Sequence, residues 1–283
     1  MVSFCQIGYL GRLGNQMFQF ASTLGIARKL GFEARFPSEN FTTYEKAGPF
    51  DFSTNSNSEI KCDLFECFEI SEEYRIPISE IRRDAVYREI EFGYNKETEG
   101  IRDNTILSGY FQSEKYFSHC RDLILSQFSF REEYKGPATE YVETIKKSNP
   151  DKKLISMHIR RGDYVLFPDH HPVCSREYYT SSEAIISKDL HESIFIVFSD
   201  DTDWCKTEFS GSRYIICDLG NPYVELCAMT LCDHHIIANS SFSWWGAWLN
   251  RKKDKTVIAP SRWFGSMINK DTSDVYCKNW IKN

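Results

Sequence analysis

The sequence lacks the signals that would assign it to several common protein classes. Its ten cysteines include no CxxC pair, so the usual spacing of a zinc site is missing. Lysine and arginine number 34 against 40 aspartates and glutamates, and the formal net charge of -6 excludes a general attraction to nucleic acid. Neither GxGxxG nor a phosphate loop ending in GK[ST] is present, so nothing indicates a NAD or ATP site.

The amino-terminal segment also lacks a targeting signal. The first ten residues have no basic region, and Gly8 and the following Gly11 interrupt the segment before a long apolar run could form. We therefore expect a cytoplasmic protein without a signal peptide or membrane span. Cys217, Cys227 and Cys232 lie in apolar stretches, which predicts free buried thiols rather than a disulfide framework.

The pattern that is present predicts an α/β protein. In a chain of 283 residues, 41% hydrophobic, the length suits one large domain or two smaller ones. Residues 2–7 read as a strand, a glycine-rich loop follows, and residues 15–30 read as a helix that Gly31 ends. From Lys153 onward, short apolar runs alternate with helical segments, which is typical of a parallel sheet covered by helices. The predicted strands there are residues 154–159, 194–198, 214–217, 235–238 and 256–259, and breakers place a domain boundary near Asn149.

Polar residues follow these strands at their carboxyl ends, where open parallel sheets bind ligands. The groups are Arg160-Arg161-Gly162-Asp163, then Asp200-Asp201, and then Ser240-Ser241 at a helix start. Arginines and helix N–H groups can hold phosphate oxygens, and carboxylates can accept hydrogen bonds from ribose or base. The set favours a site for a nucleotide diphosphate.

Each group also has a plainer interpretation. The arginines and Asp163 could form a structural ion pair, and the loop at Gly11–Gln16 could be a tight turn. Asp201 and Asp203 could ligate a metal, although a helix cap before Trp204 explains the same acids. The tryptophans after Ser241 recur at helical spacing and are interpreted as core.

Six motifs in this order give the chain a resemblance to a known family. They are GRLGNQ from Gly11, SGYFQSEKY from Ser108, HIRRGDY from His158, FSDD from Phe198, NSSFSWWGAWL from Asn239 and APSRW from Ala259. Together they resemble the α1,2-fucosyltransferases that use GDP-fucose. The resemblance implies a fold of the GT-B type, with two Rossmann-like domains facing across a cleft. The amino-terminal domain, residues 1–150, would serve mainly the acceptor, and residues 151–283 would bind GDP-fucose.

The resemblance also implies roles for individual residues. Arg160 would bind the β-phosphate and stabilise the leaving GDP, with Arg161 also at the donor. His158 would contact the nucleotide, and Asp200 or Asp201 the guanine or ribose. The remaining donor contacts would be Arg12, Gly14, Asn15, Ser240, Ser241 and Phe242. Asp163 would be the general base, with Asp169 as the alternative.

The expected reaction moves L-fucose from GDP-β-L-fucose to the 2-hydroxyl of a terminal β-galactoside, with inversion and without a metal or cofactor. The acceptor would be an oligosaccharide or glycoconjugate, with peripheral association at membrane-linked glycans and no nucleic acid partner. Nothing in residues 52–104 identifies the acceptor further. Two alternatives stay open: a metal-dependent sugar transferase using Asp201 and Asp203, and a non-catalytic module that binds carbohydrate or nucleotide.

Overall fold

The computed structural model describes residues 1–39, 61–188 and 192–283, and the chain divides into two compact units. The first unit comprises Met1–Ser129 with the segment Ser273–Val275, and the second comprises Phe130–Thr272 with Tyr276–Asn283. Each unit is built on its own parallel sheet, so the predicted α/β class is confirmed. Within the described ranges, no helix combines the length and the apolar character needed to cross a membrane.

The first unit has a five-stranded sheet in the order β3-β2-β1-β5-β4. Its strands are β1 (Val2–Ser3), β2 (Ala34–Pro37), β3 (Arg75–Ile76), β4 (Ala85–Arg88) and β5 (Thr105–Ser108). All neighbours pair in parallel. The predicted strand at residues 2–7 is shorter than expected: regular pairing ends at Ser3, and the chain turns at residues 6–9, where the Tyr9 N–H donates to the Gln6 carbonyl.

The α-helices of this unit, in the described part of the chain, are α1 (Leu13–Leu30), α2 (Leu64–Cys67) and α3 (Arg121–Gln127). The helix predicted at residues 15–30 is confirmed as α1, which is buried over most of its length. Gly31 ends it with a φ of 73°, and its N–H bonds the carbonyls of Ala27 and Arg28, a cap that a residue without Cβ adopts at little cost. Of the stretch 52–104 that gave no acceptor signal, residues 52–60 lie outside the described ranges.

The second unit has a six-stranded sheet in the order β11-β10-β9-β6-β7-β8. Its strands are β6 (Lys153–Ile159), β7 (Ser193–Ser199), β8 (Tyr214–Ile216), β9 (His234–Ile236), β10 (Val257–Ala259) and β11 (Ile281–Lys282). Its helices are α4 (Glu132–Ser148), α5 (Arg176–Ser187), α6 (Thr202–Glu208), α7 (Pro222–Leu231) and α8 (Ser241–Leu249). The five strands predicted after Lys153 correspond to β6 through β10.

Both faces of this sheet are buried, which explains the continuous apolar runs in its strands. Leu154 and Ile196 pack with α4 and α7 on one face, whereas Ile155 and Val197 pack with α5 and α6 on the other. Cys217, Cys227 and Cys232 are buried and free, as predicted.

The boundary between the units falls at Ser129 and Phe130, before the position near Asn149 expected from the breakers. The reason is α4, which packs its apolar stripe against the second unit through Ala138, Val142 and Ile145. Pro137 lies inside α4 rather than before it. Because proline has no N–H, α4 lacks the intrahelical hydrogen bond that residue 137 would otherwise donate to the Glu133 carbonyl.

Candidate active site

The connectivity of the second sheet places its ligand crevice. From β6 the chain moves outward through β7 to β8, and then returns to the other side of β6 for β9. The strand order therefore reverses between β6 and β9, and open parallel sheets bind ligands at such a switch point, beyond the carboxyl ends of the strands. Arg160 to Asp163 follow β6 at this edge, and Ala238 to Ser241 follow β9.

Arg160 is held by carboxylates on two sides. Its Nη1 lies 2.8 Å from Asp200 Oδ2, its Nη2 donates to Asp163 Oδ1, and only 16% of its side chain is exposed. The guanidinium carbon also lies 5.2 Å from the centre of the Tyr164 ring. The site thus contains a charged group whose orientation is fixed before any ligand arrives.

Arg161 points to a different set of partners. Its Nε donates to Asp201 Oδ2 at 2.9 Å, and its guanidinium lies 4.0 Å from the centre of the Trp204 ring. Neighbouring residues of an extended segment face opposite ways, and the two arginines accordingly contact different carboxylates.

The Asp201 carboxylate joins this arginine to a helix. Its Oδ1 accepts the Trp204 N–H at 3.2 Å and so caps α6, and the hydrogen bond from Arg161 lowers the pKa of Asp201. Asp203 is highly exposed and pairs with Lys206 at 3.1 Å. In residues 1–39, 61–188 and 192–283, no three His, Cys, Asp or Glu side chains are placed to hold a metal ion.

Gly162 lies where β6 and β7 bring two segments close together. A Cβ at this position would lie 2.4 Å from Asp200 Oδ2, so any side chain would displace the carboxylate that orients Arg160. Glycine here reflects close approach rather than an unusual backbone conformation.

His158 lies on β6 below the arginines and is 6% exposed. Burial, with a smaller contribution from the Arg160 charge, lowers the pKa of His158 to about 3, so the ring is neutral at ordinary pH. Its Nδ1 has no hydrogen-bond partner among the described residues, and its ring lies 5.7 Å from that of Phe242. A neutral imidazole with one uncommitted nitrogen can donate to or accept from a ligand.

The segment after β9 supplies a helix start. The helix start expected at Ser240-Ser241 is present, and of the two serines Ser240 caps α8, accepting the Phe242 N–H at 3.4 Å. Asn239 is buried and anchors the approach by donating to the carbonyls of Pro172 and Trp263, both at 3.0 Å. The tryptophans that follow are buried, as expected for core residues. Ser241 and Phe242 are partly exposed, so they are the residues of this helix start that a ligand could contact.

Two carboxylates are near enough in sequence to the arginines to serve as a base. Asp163 is half exposed and paired with Arg160. Asp169 lies in the loop that runs beside residues 265–267: its Oδ1 accepts from Ser266 Oγ at 3.3 Å and its carbonyl accepts the Met267 N–H. In the same segment, the Tyr164 and His171 rings stack with their centres 4.8 Å apart.

Sequence reasoning did not single out Glu225, in the first turn of α7 after the carboxyl end of β8. Burial raises the pKa of Glu225 to about 7. A carboxyl with a raised pKa at the binding edge of a sheet is a functional candidate. The available signal was the sequence Asn221-Pro222, which marks a helix start at this edge and is confirmed as the cap of α7.

In the first unit, the Gly11–Gln16 loop is the start of α1. Arg12 is exposed at the cap position, where its carbonyl accepts the N–H groups of Asn15 and Gln16. Gly14 is buried within the first turn, and Asn15 Oδ1 accepts from Gln112 Nε2 at 2.6 Å. The structure thus connects two motifs that lie far apart in the sequence, GRLGNQ and SGYFQ.

Comparison with known proteins identifies the family. The model of Glycosyl transferase family 11 matches residues 3–283. The chain belongs to glycosyl transferase family 11.

Relatives of this family 11 glycosyltransferase agree with that assignment. An O-antigen biosynthesis glycosyltransferase, WbnK, of Escherichia coli is 29% identical over 96% of this chain and 97% of its own. An alpha-1,2-colitosyltransferase of Escherichia coli is 30% identical over 90% of both chains. Galactoside alpha-(1,2)-fucosyltransferase 2 of Oryctolagus cuniculus is 23% identical over 86% of this chain and 66% of its own.

Solved structures show the same fold at low identity. A crystal structure of POFUT1 in complex with GDP matches with a TM-score of 0.54 and 13% identity, over 91% of this chain and 96% of that one. At this identity the likeness concerns the fold alone, and it confirms the GT-B type expected from the motifs. The resemblance to the α1,2-fucosyltransferase family is also confirmed.

Proposed function

We propose that this family 11 glycosyltransferase transfers L-fucose from GDP-β-L-fucose to the 2-hydroxyl of a terminal β-galactoside, with inversion and without a metal. The observation that carries the proposal is Arg160, held between Asp163 and Asp200 at the switch point of the second sheet. The α1,2 linkage is supported by the names of the bacterial colitosyltransferase and the rabbit fucosyltransferase among its relatives.

The chemistry follows from where charge develops. As the sugar–phosphate bond breaks, negative charge grows on the β-phosphate oxygens, and Arg160 with the N–H groups at the start of α8 would hold it. Ser240, Ser241 and Phe242 contribute that helix start, and Arg161 adds a second cation. Such preorganised groups typically contribute about 10²–10³ each in rate.

The other residues of the donor site have supporting roles in the proposal. Asp200 holds Arg160, and Asp201 holds Arg161, while their remaining lone pairs can accept from ribose or guanine. His158 presents its uncommitted Nδ1 to the nucleotide. The proposal also assigns donor contacts to Arg12, Gly14 and Asn15 at the start of α1.

The base is assigned to Asp163, with Asp169 as the second candidate. Proton removal from the acceptor hydroxyl requires a carboxylate within hydrogen-bond reach of it. Asp163 is half exposed and belongs to the same segment as Arg160, so it can face the acceptor while the arginine faces the leaving group. Attack on the face opposite to GDP converts the β-linked donor to an α-linked product.

A second candidate donor is a GDP-linked colitose, because a relative that is 30% identical carries the name of a colitosyltransferase. Colitose is the 3-deoxy counterpart of fucose, so the same diphosphate site would serve both sugars. Contacts to the 3-hydroxyl, which only fucose carries, would determine which of the two donors the protein prefers.

The test is transfer by the purified full chain. GDP-fucose or GDP-colitose is incubated with a panel of β-galactosides in excess EDTA, and the product linkage is determined by NMR. We expect α1,2 products with Arg102→Ala, an exposed control, and their loss with Arg160→Ala. Absence of transfer from both donors would overturn the proposal in favour of a binding module. Activity that disappears in EDTA and returns with a divalent cation would favour the metal-dependent alternative through Asp201 and Asp203.

A further inference from the structure

A hydrogen bond between two side chains joins the start of α1 to the loop after β5. Gln112 Nε2 donates to Asn15 Oδ1 at 2.6 Å. The two strands that precede these segments, β1 and β5, pair in parallel, so both segments lie beyond carboxyl ends of the first sheet. Gln112 is only 8% exposed, and its amide is therefore largely shielded from water that would compete for Asn15.

The amide of Asn15 is also confined by Gly11. A Cβ at Gly11 would overlap Asn15 Nδ2, and Gly11 has a φ of 83°, so both the close approach and the backbone conformation require glycine here. Asn15 is partly exposed. Because Gln112 donates to its Oδ1, the hydrogens of its Nδ2 are left for another partner. An amide nitrogen is a hydrogen-bond donor only, which suits the oxygen of a phosphate.

The loop that carries Gln112 is held in a strained conformation. Phe111 has a φ of 52°, a left-handed value that is rare for a bulky residue. Glu89 maintains it, because its carboxylate accepts the N–H groups of Tyr110 at 2.7 Å and Phe111 at 2.9 Å. Ser22 of α1 donates to the Phe111 carbonyl at 3.0 Å. Strain of this kind persists only where the surrounding contacts impose it, and it is concentrated at functional sites.

Packing of the Phe111 side chain anchors the strained loop. Phe111 is fully buried, and its ring centre lies 5.5 Å from that of Tyr116 and 6.5 Å from that of Phe4. Burial of a large aromatic ring is strongly favourable and offsets the strain in the backbone. The backbone conformation of Phe111 in turn sets the direction in which the next side chain, that of Gln112, leaves the chain.

We propose that Gln112 and Glu89 are positioning residues for the sugar nucleotide and that both act through Asn15. Gln112 fixes the Asn15 amide with its Oδ1 toward Gln112 and its Nδ2 available to an anionic oxygen of the diphosphate. Glu89 fixes Gln112 by holding the strained loop. The proposal rests on the proposed function for the donor contact of Asn15.

Orientation matters here because the two ends of an amide have opposite hydrogen-bonding roles. Without Gln112, the Asn15 amide would be free to turn by about 180° and present its Oδ1, which repels a phosphate oxygen. Neither Gln112 nor Glu89 has to touch the sugar nucleotide for its loss to weaken binding. Their effect should therefore disappear when Asn15 itself is removed.

The test measures binding of GDP to the full chain by calorimetry, without an acceptor. Gln112→Met keeps the length of the side chain and removes the amide. We expect it to raise the Kd for GDP about tenfold, because a hydrogen bond to a charged oxygen is weakened. Asn15→Ala should raise the Kd at least as much. In the Asn15→Ala background, Gln112→Met should cause no further rise, since residues that act through one another are not additive.

Glu89→Gln is the second variant, and it decides the question by the same cycle if Gln112→Met does not fold. It keeps the size of the side chain but places an NH₂ group against one of the two loop N–H groups. It should raise the Kd for GDP only where Asn15 is present. In the transfer reaction, both variants should raise the KM for the sugar nucleotide and leave the KM for the β-galactoside unchanged.

Gln127→Met is the matched control. Gln127 Oε1 accepts the Ser71 N–H at 3.0 Å elsewhere in the same unit, so this variant also removes a glutamine amide from a hydrogen bond. It should lower Tm and leave the Kd for GDP unchanged.

The outcomes separate this inference from the proposed function. A chain that binds GDP with these dependences but transfers no sugar would contradict the proposed function and support the positioning role. The inference is overturned if Gln112→Met binds GDP as tightly as wild type does, if its effect is equally large with and without Asn15, or if wild type binds no GDP.

Discussion

One carboxylate, that of Asp200, holds both Arg160 and the backbone of its neighbour. Asp200 Oδ2 lies 2.8 Å from Arg160 Nη1, and Asp200 Oδ1 accepts the Arg161 N–H at 2.9 Å. The carboxyl end of β7 therefore fixes the guanidinium at the end of β6. Asp200 acts as a positioning residue in the proposed mechanism, and this gives a first prediction.

Asp200→Asn should lower kcat about 10²-fold, because a misplacement of the phosphate-binding group by about 1 Å costs that much. An amide nitrogen facing the guanidinium would repel it, while the fold keeps its other contacts. The KM for the donor should change less than kcat, and Tm by only a few degrees. Steady-state kinetics and thermal unfolding check this, with Asp203→Asn as the control because Asp203 pairs only at the surface with Lys206. Equal losses in both variants would contradict the positioning role.

Gly162→Ala should reduce activity by a similar factor through sterics alone, since its Cβ would lie 2.4 Å from Asp200 Oδ2. The paired control is Gly136→Ala in α4, where the nearest contact of a Cβ is 4.0 Å away. That variant should gain about 0.5–1 kcal/mol of stability from helix propensity. Turnover and urea unfolding are measured for both, and full activity of Gly162→Ala would refute the close approach.

Stability should fall as the pH is lowered below about 6.5, in part because of His235. Burial lowers the pKa of His235 well below its ordinary value, and its ring is locked by Ser156 Oγ at 2.7 Å and Asn250 Nδ2 at 2.8 Å. The unfolded chain binds a proton there near pH 6.5 and the folded chain does not. The stability contribution of the neutral ring is therefore present above that pH and is lost on acidification.

The slope from one such histidine is at most about 1.4 kcal/mol per pH unit. Urea unfolding between pH 5 and 8 should show it, and His235→Gln should flatten the acid side of the curve while lowering stability overall. His119→Gln provides the comparison, because His119 is exposed. If His235→Gln loses stability on acidification as steeply as wild type does, His235 is not the cause of that loss.

Glu225 should change stability with pH in the opposite direction to His235. Burial raises the pKa of Glu225 to about 7, so the folded chain binds the proton more tightly than the unfolded chain does, and this stability is lost as the pH rises from about 4.5 through 7. After allowance for its partial exposure, Glu225→Gln should gain roughly 1–2 kcal/mol relative to wild type between pH 4.5 and 8. Glu140→Gln, an exposed residue of α4, should show no such gain. Unfolding free energies at the two pH values decide the question.

Several features could be read from the sequence because their causes are local. Gly31 as the end of α1, Asn221 with Pro222 as the start of α7, and Ser240 as the cap of α8 all depend on neighbouring residues. The two-sided burial of β6 and β7 follows equally from unbroken apolar runs. The domain boundary expected near Asn149 differs from the observed division at Ser129 and Phe130. Gly136 and Pro137 resemble helix breakers locally, but α4 packs on α7 and so belongs to the second unit.

The sequence by itself determined the family, the α/β class and the segments that supply the candidate site, since motifs and periodicity are properties of contiguous residues. Only the tertiary structure decided which carboxylate holds which arginine and that Gly162 leaves room for Asp200. These relationships join residues far apart in the chain. Strand order, distance and burial fix them, and none of the three is encoded in a local pattern.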